Sequence, residues 1–64
     1  MTFLREILME TKRIGAIQRI AAVDADSGTE VVFQAPASAS PEEIRRIAAS
    51  KLRYVMEKKE KAAR

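Results

Sequence analysis

The chain has 64 residues, which leaves room for one domain with a single small core. It contains no cysteine and no histidine, so composition excludes a disulfide framework, a thiolate metal site and a Ser-His-Asp triad. The net charge of +3 comes from the last third: residues 41–64 hold eight Lys or Arg against four Asp or Glu, whereas residues 1–40 hold four against five.

The N-terminal segment fits two periodicities. Apolar side chains recur at helical spacing from Phe3 to Ile14, yet residues 7–12 also alternate as in a strand. The pattern alone favours a helix over residues 2–10. Gly15 fits either the end of such a helix or a bend between two antiparallel strands.

Residues 16–35 predict a β-hairpin with residues 25–28 as its loop. The pairs expected across the hairpin are Asp24 with Thr29, Ala22 with Val31, and Ile20 with Phe33. This register puts the four apolar side chains of the last two pairs on one face. Asp26 and Ser27 favour the turn through side-chain hydrogen bonds, and Gly28 can supply the positive φ that such a loop needs.

The next element is an amphipathic helix over residues 41–61. Ser40 is the expected N-cap, Pro41 occupies the first helical position, and Glu43 can complete a capping box. The side chains expected to face the sheet are Ile44, Ala48, Leu52 and Val55, with Ile47 and Tyr54 on one flank and Met56 on the other. This helix is longer than the strands, so residues 62–64 are expected to fray.

The run from residue 14 to residue 58 resembles a family of very short, uncharacterised bacterial proteins that form a domain of unknown function. The matching residues are Arg13-Ile14-Gly15, Ala22-Val23-Asp24, Gly28-Thr29-Glu30-Val31, Pro36, Ala39-Ser40 and Lys51-Leu52-Arg53-Tyr54-Val55. The resemblance implies a strand-strand-strand-helix order, which favours a strand over residues 7–14. Met9 and Thr11 stand where the relatives are expected to have aromatic residues.

The fold expected is therefore α+β, with a small antiparallel sheet of two or three strands, a hairpin or a meander, packed against one long C-terminal helix. A single domain covers residues 1–64, with the strands inside about 7–35 and the helix at 41–61.

Little in this chain predicts catalysis. Asp24, Asp26 and Glu30 form the one acidic cluster, and their spacing is typical of a turn rather than of a complete calcium loop. No histidine is present to activate a serine, and too few residues remain to bury Lys51 beside Tyr54 as a reactive pair. We expect no enzyme activity, no metal and no cofactor.

Lys51 is unusual because it falls inside the apolar arc of the predicted helix. A snorkelling side chain, with its stem packed and its ammonium at the sheet edge, is the favoured interpretation. The alternatives are an ion pair with a carboxylate such as that of Glu10, or a contact with a partner.

The basic helix raises nucleic acid as an alternative partner. The residues that would contact it are Arg45, Arg46, Arg53, Lys58 and Lys59. Aromatic residues are scarce and the helix begins with two acids, both of which disfavour RNA binding.

The favoured function is a non-enzymatic interaction module, because the sheet has a second face that one helix cannot cover. Ala21, Val23 and Val32 are the apolar residues expected there, and self-association is the expected use. Binding to another protein, as an accessory subunit of a larger complex, is a further alternative. A cytoplasmic location without a membrane segment is expected from the cysteine-free composition and the short apolar runs.

Overall fold

The structure, a computed structural model, describes residues 6–62. Its elements, in chain order, are β1 (Ile7–Ile14), β2 (Ile17–Asp24), β3 (Glu30–Pro36) and α1 (Pro41–Ala62). The strands form one antiparallel sheet in the order β1-β2-β3. The predicted α+β fold is confirmed, and the sheet is a three-stranded meander.

The helix predicted from periodicity over residues 2–10 is wrong for residues 7–10, which belong to β1; residues 2–5 lie outside the described residues. Every residue of β1 pairs with β2, from Ile7 opposite Asp24 to Ile14 opposite Ile17. The helical spacing of the apolar residues is outweighed by this long-range pairing, which the sequence pattern does not contain.

Gly15 forms the bend between β1 and β2. Its φ is +60°, and no residue other than glycine has a positive φ in the described chain. A two-residue connection with a positive φ only at its first position is a type II′ turn, whose twist matches that of the flanking strands.

The second hairpin has the predicted register. Ala22 lies opposite Val31 and Ile20 opposite Phe33. The N–H of Asp24 donates to the carbonyl of Thr29 at 2.8 Å, which closes the loop where the sequence predicted it.

Helix α1 packs on β2 and β3 and forms the core with them. The buried apolar residues are Ile20, Ala22, Phe33, Ala35, Ile44, Ala48 and Leu52. Three of the four residues of the predicted helix stripe, Ile44, Ala48 and Leu52, are buried, and the fourth, Val55, is half-buried. Met56, predicted on one flank, is half-buried as well. The helix ends at Ala62, one residue beyond the predicted end, and residues 63–64 lie outside the described residues.

The start of α1 is fixed by a complete capping box. The N–H of Glu43 donates to Ser40 Oγ at 3.1 Å, and the N–H of Ser40 donates to Glu43 Oε1 at 3.4 Å. The first helical hydrogen bond runs from the N–H of Ile44 to the carbonyl of Ser40 at 3.0 Å. Two N–H groups that would otherwise lack partners are thereby satisfied.

Gln18 secures the loop that leads into the helix, a role that the sequence analysis missed. Its amide nitrogen lies 3.0 Å, 3.1 Å and 3.2 Å from the carbonyl oxygens of Pro36, Ala37 and Ala39. Since an amide has two N–H donors for these three acceptors, one donor is shared. One β2 side chain thus contacts three carbonyl groups between the end of β3 and the start of α1.

Candidate protein-interaction face

The sheet side opposite α1, called the outer face below, carries alternate residues of all three strands. These are Leu8, Glu10, Lys12 and Ile14 from β1, Ile17, Arg19, Ala21 and Val23 from β2, and Glu30, Val32, Gln34 and Pro36 from β3. They lie there because successive side chains of a strand point to opposite sides, and their neighbours Ile20 and Phe33 face the helix. The described helix leaves this face uncovered.

The three apolar residues that the sequence analysis assigned to this face are brought together. Ala21 lies directly opposite Val32, and Val23 follows two residues along β2. Val32 is 52% exposed, whereas Ala21 and Val23 are half-buried. Their placement follows from the strand register, which the turn residues had already fixed.

Two further exposed apolar residues on the outer face were missed. Leu8 is 54% exposed beside Val23, and Ile14 is 50% exposed opposite Ile17 at the far end of the sheet. Both belong to β1, where the alternation over residues 7–12 indicates a strand but not which of its residues lie on the outer face. An exposed apolar set on one face is typical of an interaction surface.

The charged residues on the outer face are separated by sign. Glu10 and Glu30 line a shallow cavity of about 280 Å³ together with Leu8, Ala21 and Val23. Lys12 and Arg19 lie directly opposite one another, further along the sheet. Like charges in directly opposed positions repel, so this pair lowers the stability of the isolated chain.

The acidic cluster that raised the calcium hypothesis is divided between two sides of the sheet. Asp24 is fully buried on the helix side, whereas Glu30 lies on the outer face opposite Val23. Within the described residues no group of three or more His, Cys, Asp or Glu side chains is placed to hold a metal ion.

Asp24 instead organises the turn. Its Oδ2 accepts hydrogen bonds from the N–H of Ser27 at 3.0 Å and from Ser27 Oγ at 2.6 Å, and the Ser27 hydroxyl lies 2.9 Å from Thr29 Oγ1. Asp26, to which the sequence analysis assigned part of this role, is exposed and makes none of these bonds. Asp24 Oδ1 has no hydrogen-bond partner in the part of the chain that the structure describes.

Lys51 lies close to β3, where it lines one cavity together with Val31 and Val32. Its Nζ is 5.7 Å from the centroid of the Phe33 ring, a distance at which a cation and an aromatic face attract. Glu10 lies on the outer face, so the suggested ion pair between Glu10 and Lys51 does not fit this arrangement.

The basic residues proposed for nucleic acid do not share one face of α1. All five are exposed. At about 100° per residue, Arg46 and Arg53 lie within about 20° of each other, but Arg45, Lys58 and Lys59 lie about 100° or more away from Arg46. Phosphates along one nucleic-acid strand could therefore contact only some of them at a time.

Comparison with known protein families assigns the chain to one of them. A family model described as Domain of unknown function (DUF6898) matches residues 4–59. The chain belongs to this family. No curated protein and no solved structure matches it.

Membership in DUF6898 agrees with the strand-strand-strand-helix order that the resemblance implied. The family description names no activity, so the function of this DUF6898 domain has to be inferred from its surfaces. Within residues 6–62, α1 lacks the long apolar stretch that a membrane-crossing helix would need.

Proposed function

We propose that this DUF6898 domain is a non-enzymatic interaction module that self-associates through the outer face. The observation that supports the proposal is the order of side chains along β1 on that face: apolar Leu8, acidic Glu10, basic Lys12 and apolar Ile14. Read in reverse, this order complements itself. A second copy running in the opposite direction therefore offers apolar side chains to apolar ones and each charge to its opposite.

This order selects one arrangement of two copies. A twofold axis in the interface, perpendicular to the strands and midway between Glu10 and Lys12, places β1 of one copy over β1 of the other. Glu10 then faces Lys12 of the second copy, and Leu8 faces its Ile14. An axis parallel to the strands would instead put Glu10 over Val32 and leave the charge unpaired, which is unfavourable in a desolvated contact.

Pairing with a second copy also relieves a conflict within each chain. Lys12 and Arg19 repel one another in the isolated sheet because they are directly opposed. In the proposed dimer both approach the acidic cavity formed around Glu10 and Glu30 of the other copy. The same contact thus covers apolar side chains and neutralises the like-charged pair.

The size of the face predicts a weak dimer. From the usual spacing and rise of strands, the three-stranded face covers roughly 400 Å² per copy, about half the area that each partner contributes to a standard interface. We therefore expect dissociation constants in the micromolar to millimolar range, and the measurement has to cover about 10 μM to 1 mM. Weak self-association would let local concentration control the state of the protein.

The first experiment compares Val32→Lys with the wild-type chain by analytical sedimentation. The wild-type mass should rise with concentration, whereas the variant should stay monomeric because a lysine would be buried in the contact. Ile47→Lys is the matched control, since Ile47 is an exposed apolar residue on α1, away from the outer face. A wild-type chain that remains monomeric at about 1 mM contradicts self-association and leaves the face to a different protein.

The second experiment tests the axis. Glu10→Lys and Lys12→Glu should each weaken self-association about tenfold, because each variant opposes like charges. An equimolar mixture of the two variants should associate as well as the wild type, since the two neighbouring lysines of the first variant would face the two neighbouring glutamates of the second. If the mixture associates no better than the separate variants, the proposed axis is wrong, even if the two copies do meet through their outer faces.

The cytoplasmic location expected from the sequence is part of this proposal. It is supported by the absence of cysteine from the chain.

A further inference from the structure

The edge of β3 away from β2, with which no described strand pairs, offers a second surface, distinct from the outer face. The N–H of Asp24 bonds to the carbonyl of Thr29, and in an antiparallel ladder alternate residues of each strand bond to the same neighbour. The residues of β3 that bond to β2 are therefore the odd-numbered ones. Glu30, Val32 and Gln34 direct their backbone N–H and C=O groups away from β2, where another strand could pair with them.

A trough runs between this edge and helix α1. It has a volume of about 510 Å³ and is lined by Val31, Val32, Ser50, Lys51, Tyr54 and Val55. A neighbouring cavity of about 390 Å³ continues along the helix and is lined by Arg46, Ile47, Ser50 and Lys51. Ser50 and Lys51 line both cavities, which are together called the β3 trough below.

The charge of the β3 trough has a single sign. Lys51 and Arg46 line it, and no carboxylate does so among the side chains that the structure describes. The Lys51 ammonium is held over the Phe33 ring at 5.7 Å, and Lys58 Nζ lies 5.4 Å from the centroid of the Tyr54 ring. The apolar floor is thus bordered by ammonium groups, which favours an occupant that carries carboxylates.

We propose that the β3 trough binds an extended acidic peptide segment, which adds to the sheet as a fourth strand beside β3. The backbone of the segment pairs with Glu30, Val32 and Gln34. Side chains on its helix-facing side alternate in role: an apolar one contacts Tyr54 and Val55, and a carboxylate two residues along reaches Lys51. Backbone pairing supplies affinity and these two contacts supply selectivity, as in other cases of strand addition.

The length of such a segment follows from the edge. Pro36 has no N–H, so pairing ends at that side of β3, and the usable edge of Glu30 to Gln34 spans about 17 Å. This site does not depend on self-association, because the proposed twofold contact covers the outer face and leaves the β3 edge accessible.

The test uses a defined probe and a charge reversal. The probe is the blocked peptide Thr-Val-Thr-Glu-Thr-Val-Thr-Glu, and its counterpart has lysine in place of glutamate. When the acidic peptide is titrated into isotopically labelled protein, the amide resonances of Val32, Gln34 and Lys51 should shift. The lysine peptide should bind at least about tenfold more weakly.

Lys51→Glu should reverse this preference, so that the variant binds the lysine peptide better than the acidic one. Arg53→Glu is the matched control, because it makes the same charge change at an exposed position of α1, about 200° around the helix from Lys51, and should keep the wild-type preference. A preference unchanged by Lys51→Glu would overturn the proposal, as would the absence of resonance shifts at millimolar peptide. Shifts confined to β1 would also overturn it, since the added strand would then lie at the other edge.

Discussion

The β2–β3 loop allows backbone strain to be measured without interference from packing. Gly28 has a φ of +76°, and a Cβ built on it meets no atom within 4 Å. Its N–H donates to the carbonyl of Asp24 at 2.8 Å, so the loop cannot relax to another φ without losing that bond. The effect of replacing Gly28 should therefore come from the left-handed backbone conformation alone.

The expected order of stability is glycine, asparagine, alanine, valine. A left-handed conformation costs an ordinary L-residue about 1–2 kcal/mol, and for alanine part of this is offset by the smaller entropy of the unfolded chain, about 0.4–1 kcal/mol. Asparagine tolerates this region better, and a β-branched residue tolerates it less. We expect Gly28→Ala to lower the free energy of unfolding by about 1 kcal/mol and Gly28→Val by about 2 kcal/mol.

Thermal unfolding followed by circular dichroism measures this series, at one protein concentration because self-association would shift the midpoint. In a domain of this size, 1 kcal/mol corresponds to about 4–8 °C in Tm. Ala25→Val is the control, since Ala25 is exposed in the same loop without a positive φ. Equal midpoints for Gly28→Val and wild type, or an asparagine variant less stable than the alanine one, would refute the argument from φ.

Three further substitutions test other contacts. Ser40→Ala should lower the free energy of unfolding by about 1 kcal/mol because it deletes the cap, and amide exchange near Ile44 should become faster. Unchanged exchange there would mean that the cap does not hold the helix start. Gln18→Leu should lower the free energy of unfolding by about 1–3 kcal/mol in a denaturant titration, because the carbonyl groups of Ala37 and Ala39 lose the Gln18 donor; an unchanged midpoint would mean that water replaces the amide. Leu52→Ala should lower the free energy of unfolding by about 2–5 kcal/mol, because it leaves a cavity in the core. That is a large share of the total stability of a small domain. A loss below about 1 kcal/mol would show that the core closes around the cavity.

The second hairpin and the helix could be predicted because their signals are local. Gly28 fixes the turn, the alternation on either side fixes the register, and Ser40 with Glu43 fixes the start of α1. Each of these features depends on residues close in sequence. The position of Val32 on the outer face then follows without any knowledge of the tertiary structure.

The first strand could not be predicted from the residues alone, because its pattern fits two periods and the deciding interaction is with β2. That ambiguity also concealed the part of the candidate site that lies on β1, namely Leu8, Glu10, Lys12 and Ile14. The role of Asp24 was missed for a related reason. Its spacing from Asp26 and Glu30 is visible in the sequence, but only the fold shows that it is buried and bonded to Ser27.

The width of a single helix explains where the candidate surfaces lie. A helix is about 10 Å across and two neighbouring strands occupy about the same width, so one helix covers two strands of a three-stranded sheet. Here it covers β2 and β3, and Ile7 and Met9 of β1 are left half-buried even on the helix side. The strand that α1 contacts least is therefore the one whose outer residues carry the self-complementary order. A contact that orders β1 against a second copy would supply the packing that a single helix cannot reach.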